Sequence, residues 1–231
     1  MKPPKPSPKT TNKQTKNPLN LIFWGGTGLI LAAVAMVYLP SLNNQFTNWD
    51  DPHYIEKNAL IQDLNVLNLL VIFSEFFLGN YHPLTLVSLA IDFHFFQMDP
   101  FGFHLVNLII HLADTALVIL FFYLLSQNIT VGFFCGLFFG IHPLHVESVA
   151  WISERKDVLY GFFFILSRIF YLKHDRLAGN KLYYFLSPPV AMLIGSHRLL
   201  RSIVRFMILN PIVRIVKLKL RSNKEVNEPY F

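Results

Sequence analysis

Two groups of residues in this chain have the types and spacing that chemistry requires. Asp50 and Asp51 stand side by side in Asn48-Trp49-Asp50-Asp51-Pro52. Adjacent carboxylates repel, which raises the proton affinity of one of them and suits it to take a proton from a hydroxyl. The competing reading is a turn or a helix cap, because Asp-Pro favours turn initiation. The second group runs from His142 to Asp157, between the apolar runs Val131 to Ile141 and Val158 to Leu172. Charges beside segments of hydrocarbon length are expensive, so they line a cavity, bind a charged group or mark the interface. Arg155 with its planar fork and Lys156 with its point charge suit a phosphate, and His142 and His145 would add donors. Glu154 and Asp157 would orient or partly neutralise the cations, and Glu147 lies close by. An interfacial loop anchored by Trp151 in the headgroup region is the plainer alternative.

A polar stripe, His104, Asn107, His111 and Asp114, forms a third set. Its spacings of three, four and three put all four on one helical face. Facing lipid it would be costly, so it is expected to face the bundle interior or a wet cavity, or to hydrogen-bond neighbouring helices. His142, His145, Asp50 and Asp51 are metal-ligand types, and divalent ions assist many reactions that release phosphate. No His-Glu-x-x-His spacing occurs, and no metal is assigned. The single Cys135 provides neither a disulfide framework nor a cysteine metal site and reads as a small residue of an apolar run.

The elements that must position these residues are membrane helices. The 231 residues are 53% hydrophobic, with 23 Phe and a mean hydropathy of +0.40, well outside the range of a soluble domain. The net charge of +6 is gathered at the two ends, which fits cytoplasmic flanks and anionic lipid better than nucleic acid. Residues 1–18 read as a disordered basic cytoplasmic tail, and Leu19 to Leu39 as a retained first span, long enough for the ~30 Å hydrocarbon core. Residues 40–102, acidic with Lys57 as the one basic side chain, read as a periplasmic or lumenal loop, with Val66 to Phe77 and Leu84 to Phe96 as interfacial helices. Phe103 to Leu125, Thr130 to Ile141 and Val158 to Leu172 are three further spans, with an outer loop around 142–157. The sequon Asn128-Ile129-Thr130 falls at the inner turn and is discounted. Residues 173–231 are basic and partly amphipathic. Leu182 to Ile194, broken by Pro188-Pro189, is not expected to span, and Ile203 to Leu220 reads as a surface helix. The fold class expected is all-α, a polytopic helical membrane protein.

Four motifs follow one another: Asn48-Trp49-Asp50-Asp51-Pro52, Gly79-Asn80-Tyr81-His82-Pro83-Leu84-Thr85, Pro100-Phe101-Gly102-Phe103-His104-Leu105-Val106-Asn107, and His142 through Tyr160. The set resembles the membrane half of the transmembrane and tetratricopeptide-repeat O-mannosyltransferases and their bacterial relatives, which are similar to GT-C-type glycosyltransferases. The resemblance covers about Asn44 to Tyr171. It implies a partial GT-C-like fold whose site opens to the periplasm or ER lumen, a polyprenyl-phosphate sugar as donor, and a hydroxyl acceptor, often Ser or Thr of a protein. It maps the catalytic acidic motif onto Asp50 and Asp51. Arg155, Lys156, His142 and His145 would then hold the departing phosphate, with Glu147, Glu154, His82, His104 and Asn107 in support. The donor is a substrate, and no cofactor is expected. The membrane expected is a bacterial inner membrane, with the ER as the second reading.

Members of that family continue through more spans into repeats of about 34 residues, which this sequence does not show, and the match fades beyond about Tyr184. An incomplete homologue serving as a membrane binding or assembly protein is therefore the alternative to an enzyme. A small transporter using the polar stripe of the second span is a weaker third reading, because no internal symmetry is visible.

Overall fold

Short polar side chains start four of the helices. In the computed structural model, which describes residues 18–176, Asn58, Asn65, Asp99 and Asn128 each accept a backbone N–H two or three residues ahead, satisfying amides that a helix leaves unpaired at its first turn. Asn128, the discounted sequon residue, is thus a helix cap, bonded to Thr130 N at 2.9 Å. The basic N-terminal tail and the segments Leu182 to Ile194 and Ile203 to Leu220 lie outside the described residues.

Among the described residues there are helices and turns but no strand, as expected of an all-α chain. Helix α1, Pro18–Tyr38, runs into a 3-10 turn, Leu39–Asn43. A single π-helical turn, Pro52–Glu56, follows, then α2, Ala59–Gln62, α3, Val66–Ser74, and α4, Pro83–Phe96. The long α5 is Pro100–Ser126, α6 is Ile129–Ile141 and α7 is His145–Ala150. A 3-10 turn, Ile152–Glu154, leads directly into α8, Arg155–Arg176. Two stretches, Leu21–Asn43 and Pro100–Ser126, are long and apolar enough to cross a membrane. On α1, Leu21, Trp24, Leu29 and Met36 are each more than 60% exposed, a surface that water would not tolerate and lipid would. The chain is an all-α membrane protein. At 13 residues, α6 rises only ~20 Å, less than the hydrocarbon core. The last expected span also begins earlier than Val158: α8 opens at Arg155, inside the charged block. The helix tolerates that charge because Arg155 is buried and paired.

Glycine sets the spacing of the bundle. Gly132, Gly136 and Gly140 recur every fourth residue on α6. A Cβ on Gly132 or Gly136 would collide with Ile119 of α5, and one on Gly140 with Val34 of α1. Small residues at this spacing let membrane helices approach closely. The bundle core they permit holds Ile30, Val34, Leu108, Ile119, Val149 and Val158. A second core forms around residues of the 40–102 segment: Tyr54, Ile55, Ile61, Ile72, Leu86 and Leu89 pack with Phe103 and Ile152. Helix α5 belongs to both cores and contacts α6 and α8 along much of its length.

Candidate functional site

The carboxylate pair is divided by its own backbone. Asp50 and Asp51 open the turn that becomes Pro52–Glu56, and successive residues of a helical turn point about 100° apart. Asp51 turns inward and is fully buried. Its Oδ2 accepts from Thr47 N at 2.8 Å and Thr47 Oγ at 3.0 Å. Its Oδ1 accepts from Trp151 Nε1 and Ser153 N, both at 3.1 Å, and from Ser153 Oγ. Five donors thus tie one carboxylate to both outer segments of the chain. Asp50 is half-buried, and among the described residues no side-chain or backbone donor is bonded to its carboxylate. Of the two expected bases, Asp51 serves as a latch, and its oxygens have no capacity left for an acceptor proton.

Arg155 departs from expectation in the same way. Its side chain is fully buried. Nε donates to Asn107 Oδ1 at 2.6 Å, Nη2 to the Phe103 carbonyl at 2.7 Å, and Nη1 to Ser88 Oγ at 3.1 Å. Nη1 also pairs with the Asp92 carboxylate. Burial pushes the Asp92 carboxyl up, and the Arg155 guanidinium pulls it back. A guanidinium enclosed by four protein partners is not presented to a phosphate, so Arg155 is a strut joining α4, α5 and α8. Lys156 donates to Glu154 Oε1 at 2.7 Å and keeps part of its surface in solvent. Asp157 accepts from Ser148 Oγ at 3.2 Å, and Glu147 is exposed in the first turn of α7.

The stripe on α5 faces inward along its length: His104, Asn107, His111 and Asp114 are all buried. Asn107 Nδ2 donates to the carbonyls of Val149 at 3.3 Å and Trp151 at 3.1 Å. One side chain thereby holds both the end of α7 and, through its Oδ1, Arg155. His111 Nε2 lies 3.0 Å from the Gly140 carbonyl. His82 packs its ring on Tyr54.

His142 and His145 are placed elsewhere. Their ring centroids are 6.0 Å apart, and His145 lies 5.8 Å from His111 and 4.4 Å from Phe139. Burial, then the charge of neighbouring His142, holds His145 below the ordinary imidazole range, so it is neutral at pH 7. Both line a cleft of about 770 Å³ whose walls include Phe134, Phe138, Phe164 and Ile165, with Arg168 also on its lining. Cys135, half-buried in its apolar run, also lines this cleft. The six residues of α7 rise ~9 Å and separate this histidine pair from the Asp51 latch. Among the described residues, no three His, Cys, Asp or Glu side chains converge as metal ligands.

Trp151 and Ser153 around Asp51, and Ser88 and Asp92 around Arg155, had no signal in the sequence as partners of these groups. Only Thr47, four residues before Asp51, carried a local hint through helical spacing.

The chain is similar over part of its length to known proteins. The chain is 37% identical over 103 residues to Protein O-mannosyl-transferase tmtc2 of Xenopus laevis, covering 45% of this chain and 12% of that protein. It is 38% identical over 100 residues to the human TMTC2 protein O-mannosyl-transferase, 43% of this chain and 12% of that one. Over 163 residues it is 31% identical to mouse TMTC1, 65% of this chain and 17% of the relative. The chain thus spans about an eighth to a sixth of the length of these relatives. No protein-family model matches it, and no solved structure does.

Proposed function

We propose that this chain, a relative of the protein O-mannosyl-transferases, carries part of the active site of a membrane glycosyltransferase. The reaction moves a sugar, mannose by the relatives' names, from a polyprenyl-phosphate donor to a protein Ser or Thr hydroxyl. The observation that carries this reading is the unequal fate of the two adjacent carboxylates. Asp51 gives both oxygens to protein donors, which leaves Asp50 beside the latch with an unbonded carboxylate.

Asp50 accepts the proton of the acceptor hydroxyl as that oxygen attacks the anomeric carbon. The bond from that carbon to the phosphate oxygen breaks, its electron pair leaves on the polyprenyl phosphate, and the configuration inverts. The apolar cleft beside α6 and α8 takes part of the isoprenoid chain. His142 and His145 on its lining donate to the departing phosphate, with Lys156 as a further cation. Because a neutral imidazole carries one N–H and a charged one two, protonation of His145 at lower pH adds a donor and tightens binding of the phosphate. Arg155, Asn107, Glu154, His82 and His104 support the site from below. The excess of Lys before α1 favours a cytoplasmic N-terminus, which places the site on the periplasmic or lumenal side of a bacterial inner membrane or of the ER.

The test is transfer of labelled mannose from polyprenyl-phosphate mannose in membranes carrying the wild-type chain, Asp50→Asn, or the His142→Ala/His145→Ala pair. Asp50→Asn is expected to lose roughly 10²-fold or more in rate at unchanged insertion, and the histidine pair to weaken donor binding. Full transfer by Asp50→Asn sinks the general-base role. No transfer by a correctly inserted wild-type chain sinks the reading that these residues suffice for the reaction.

A further inference from the structure

Helix α6 ends where the histidine pair begins, and two hydrogen bonds shape that end. In an uninterrupted helix the Gly140 carbonyl would accept from the N–H four residues on, that of Leu144. Pro143 brings no N–H to continue the ladder, and the backbone leaves the helix at His142, with φ of −65° and ψ of 130°. The Leu144 N–H turns back onto the His142 ring and donates to Nδ1 at 3.2 Å. The Gly140 carbonyl thereby loses its helical partner, and His111 of α5 takes the vacant place with Nε2 at 3.0 Å. A carbonyl oxygen only accepts, so the proton of neutral His111 is on Nε2. The His111 ring is fully buried. It stacks on Phe139 with centroids 5.6 Å apart, and Tyr38 meets it edge-on at 5.1 Å. One side chain of α5 thus caps the last turn of α6.

We propose that His111 is a positioning residue for the histidine pair: by donating Nε2–H to the Gly140 carbonyl it frees the Leu144 N–H to hold His142 Nδ1 as an acceptor, so that neutral His142 meets the donor phosphate through Nε2–H. The proposal rests on the reading of His142 and His145 as phosphate donors. A neutral imidazole has one N–H, and the bond made at one nitrogen decides that the other carries it. Nδ1 of His142 faces an N–H, so the proton is on Nε2. The ring lines the cleft, and the group it offers there is a donor. A bare nitrogen in that place would repel an ionised phosphate, which has only lone pairs to present. Leu144 is 80% exposed, so its backbone N–H holds the turn and its side chain does not. The same turn seats His145. Its N–H donates to the His142 carbonyl at 3.0 Å, and its ring packs at 4.4 Å on Phe139, the residue on which His111 stacks.

The experiment reads the imidazole nitrogens of His142 by NMR in the full chain in lipid nanodiscs, at a pH where the ring is neutral, with the resonances assigned by their loss in His142→Ala. Binding of polyprenyl phosphate is measured in the same nanodiscs. The wild type is expected to show one tautomer, protonated at Nε2 and bare at Nδ1, and this spectrum tests the turn without any substitution. His111→Phe keeps a packed ring and removes the donor. The Gly140 carbonyl then takes back the Leu144 N–H, both tautomers of His142 appear, and the Kd for polyprenyl phosphate rises about tenfold. His111→Gln, whose amide supplies an N–H in place of Nε2, is expected to keep the single tautomer. The mixture appearing in His111→Gln as well would overturn the proposal, since a donor is then not what the turn requires. A wild-type His142 protonated at Nδ1 overturns it too. If polyprenyl phosphate binds more weakly to His142→Ala/His145→Ala while His142 keeps its tautomer in His111→Phe, His111 is rejected and the pair stands as the phosphate site. If the tautomer changes in His111→Phe while that double variant binds polyprenyl phosphate as the wild type does, the hold of His111 on His142 stands and the phosphate reading is rejected.

Discussion

At Asp50 and Asp51, one peptide bond separates a reactive group from a structural one. The carboxylate of Asp51 satisfies two backbone amides, an indole and two hydroxyls, and deleting it leaves those donors unsatisfied. Asp51→Ala is expected to cost about 2–4 kcal/mol of stability, and Asp50→Asn less than about 0.5 kcal/mol. Thermal unfolding of the two variants in the same detergent checks this, and equal midpoints would remove the latch. His145 makes the second prediction at this scale. Its folded pKa lies below the ordinary 6.5, through burial and His142, so the unfolded chain binds the proton more readily. Its contribution is therefore complete above the unfolded pKa and declines as pH falls through 6.5 toward the folded value. The midpoint of the wild type should drop between pH 7.5 and 5.5 more steeply than that of His145→Gln. Parallel curves would show that the histidine is not coupled to folding.

Among the elements, α5 and α6 depend on each other most. The glycine stripe of α6 is what allows α5 and α1 to approach it, and a side chain at its middle position meets the Ile119 side chain. Gly136→Val is expected to destabilise the bundle by about 1–3 kcal/mol through overpacking, and Ile119→Ala in the same molecule should recover part of the loss. Additive rather than compensating changes in unfolding would place the stripe elsewhere than at this contact. Helix α8 shows a different dependence. Its first residue, Arg155, is held by Asn107 on α5 and by Ser88 and Asp92 on α4. The start of a long apolar helix is thereby fixed by a buried charge network, an arrangement in which removing one partner strands the others.

On the scale of the whole molecule, the described residues form two cores joined by α5, one inside the bundle and one beneath the Asp50 turn. Trp24 on α1 is 69% exposed and Trp49 75% exposed, while Trp151 is half-buried and bonded to Asp51. In a Trp49→Phe/Trp151→Phe background, Trp24 emission should be quenched by brominated acyl chains and spared by aqueous iodide. The reverse pattern would argue against α1 as a lipid-facing helix.

The sequence by itself determined the membrane character, the helical class and the locations of α1, α5 and α6. These follow from uninterrupted apolar runs and from capping residues such as Asp99 and Asn128, which act within a few positions of themselves. It also marked the stripe from His104 to Asp114 as inward-facing, because helical periodicity is a local property and hydrocarbon excludes such groups. Only the tertiary structure decided which acid is free and whether Arg155 can face a ligand. Trp151 and Ser153 stand 100 and 102 residues from Asp51, and Asp92 stands 63 from Arg155. A carboxylate and a guanidinium read the same in any sequence. What they can do depends on whether burial and distant partners have already used their hydrogen-bonding capacity.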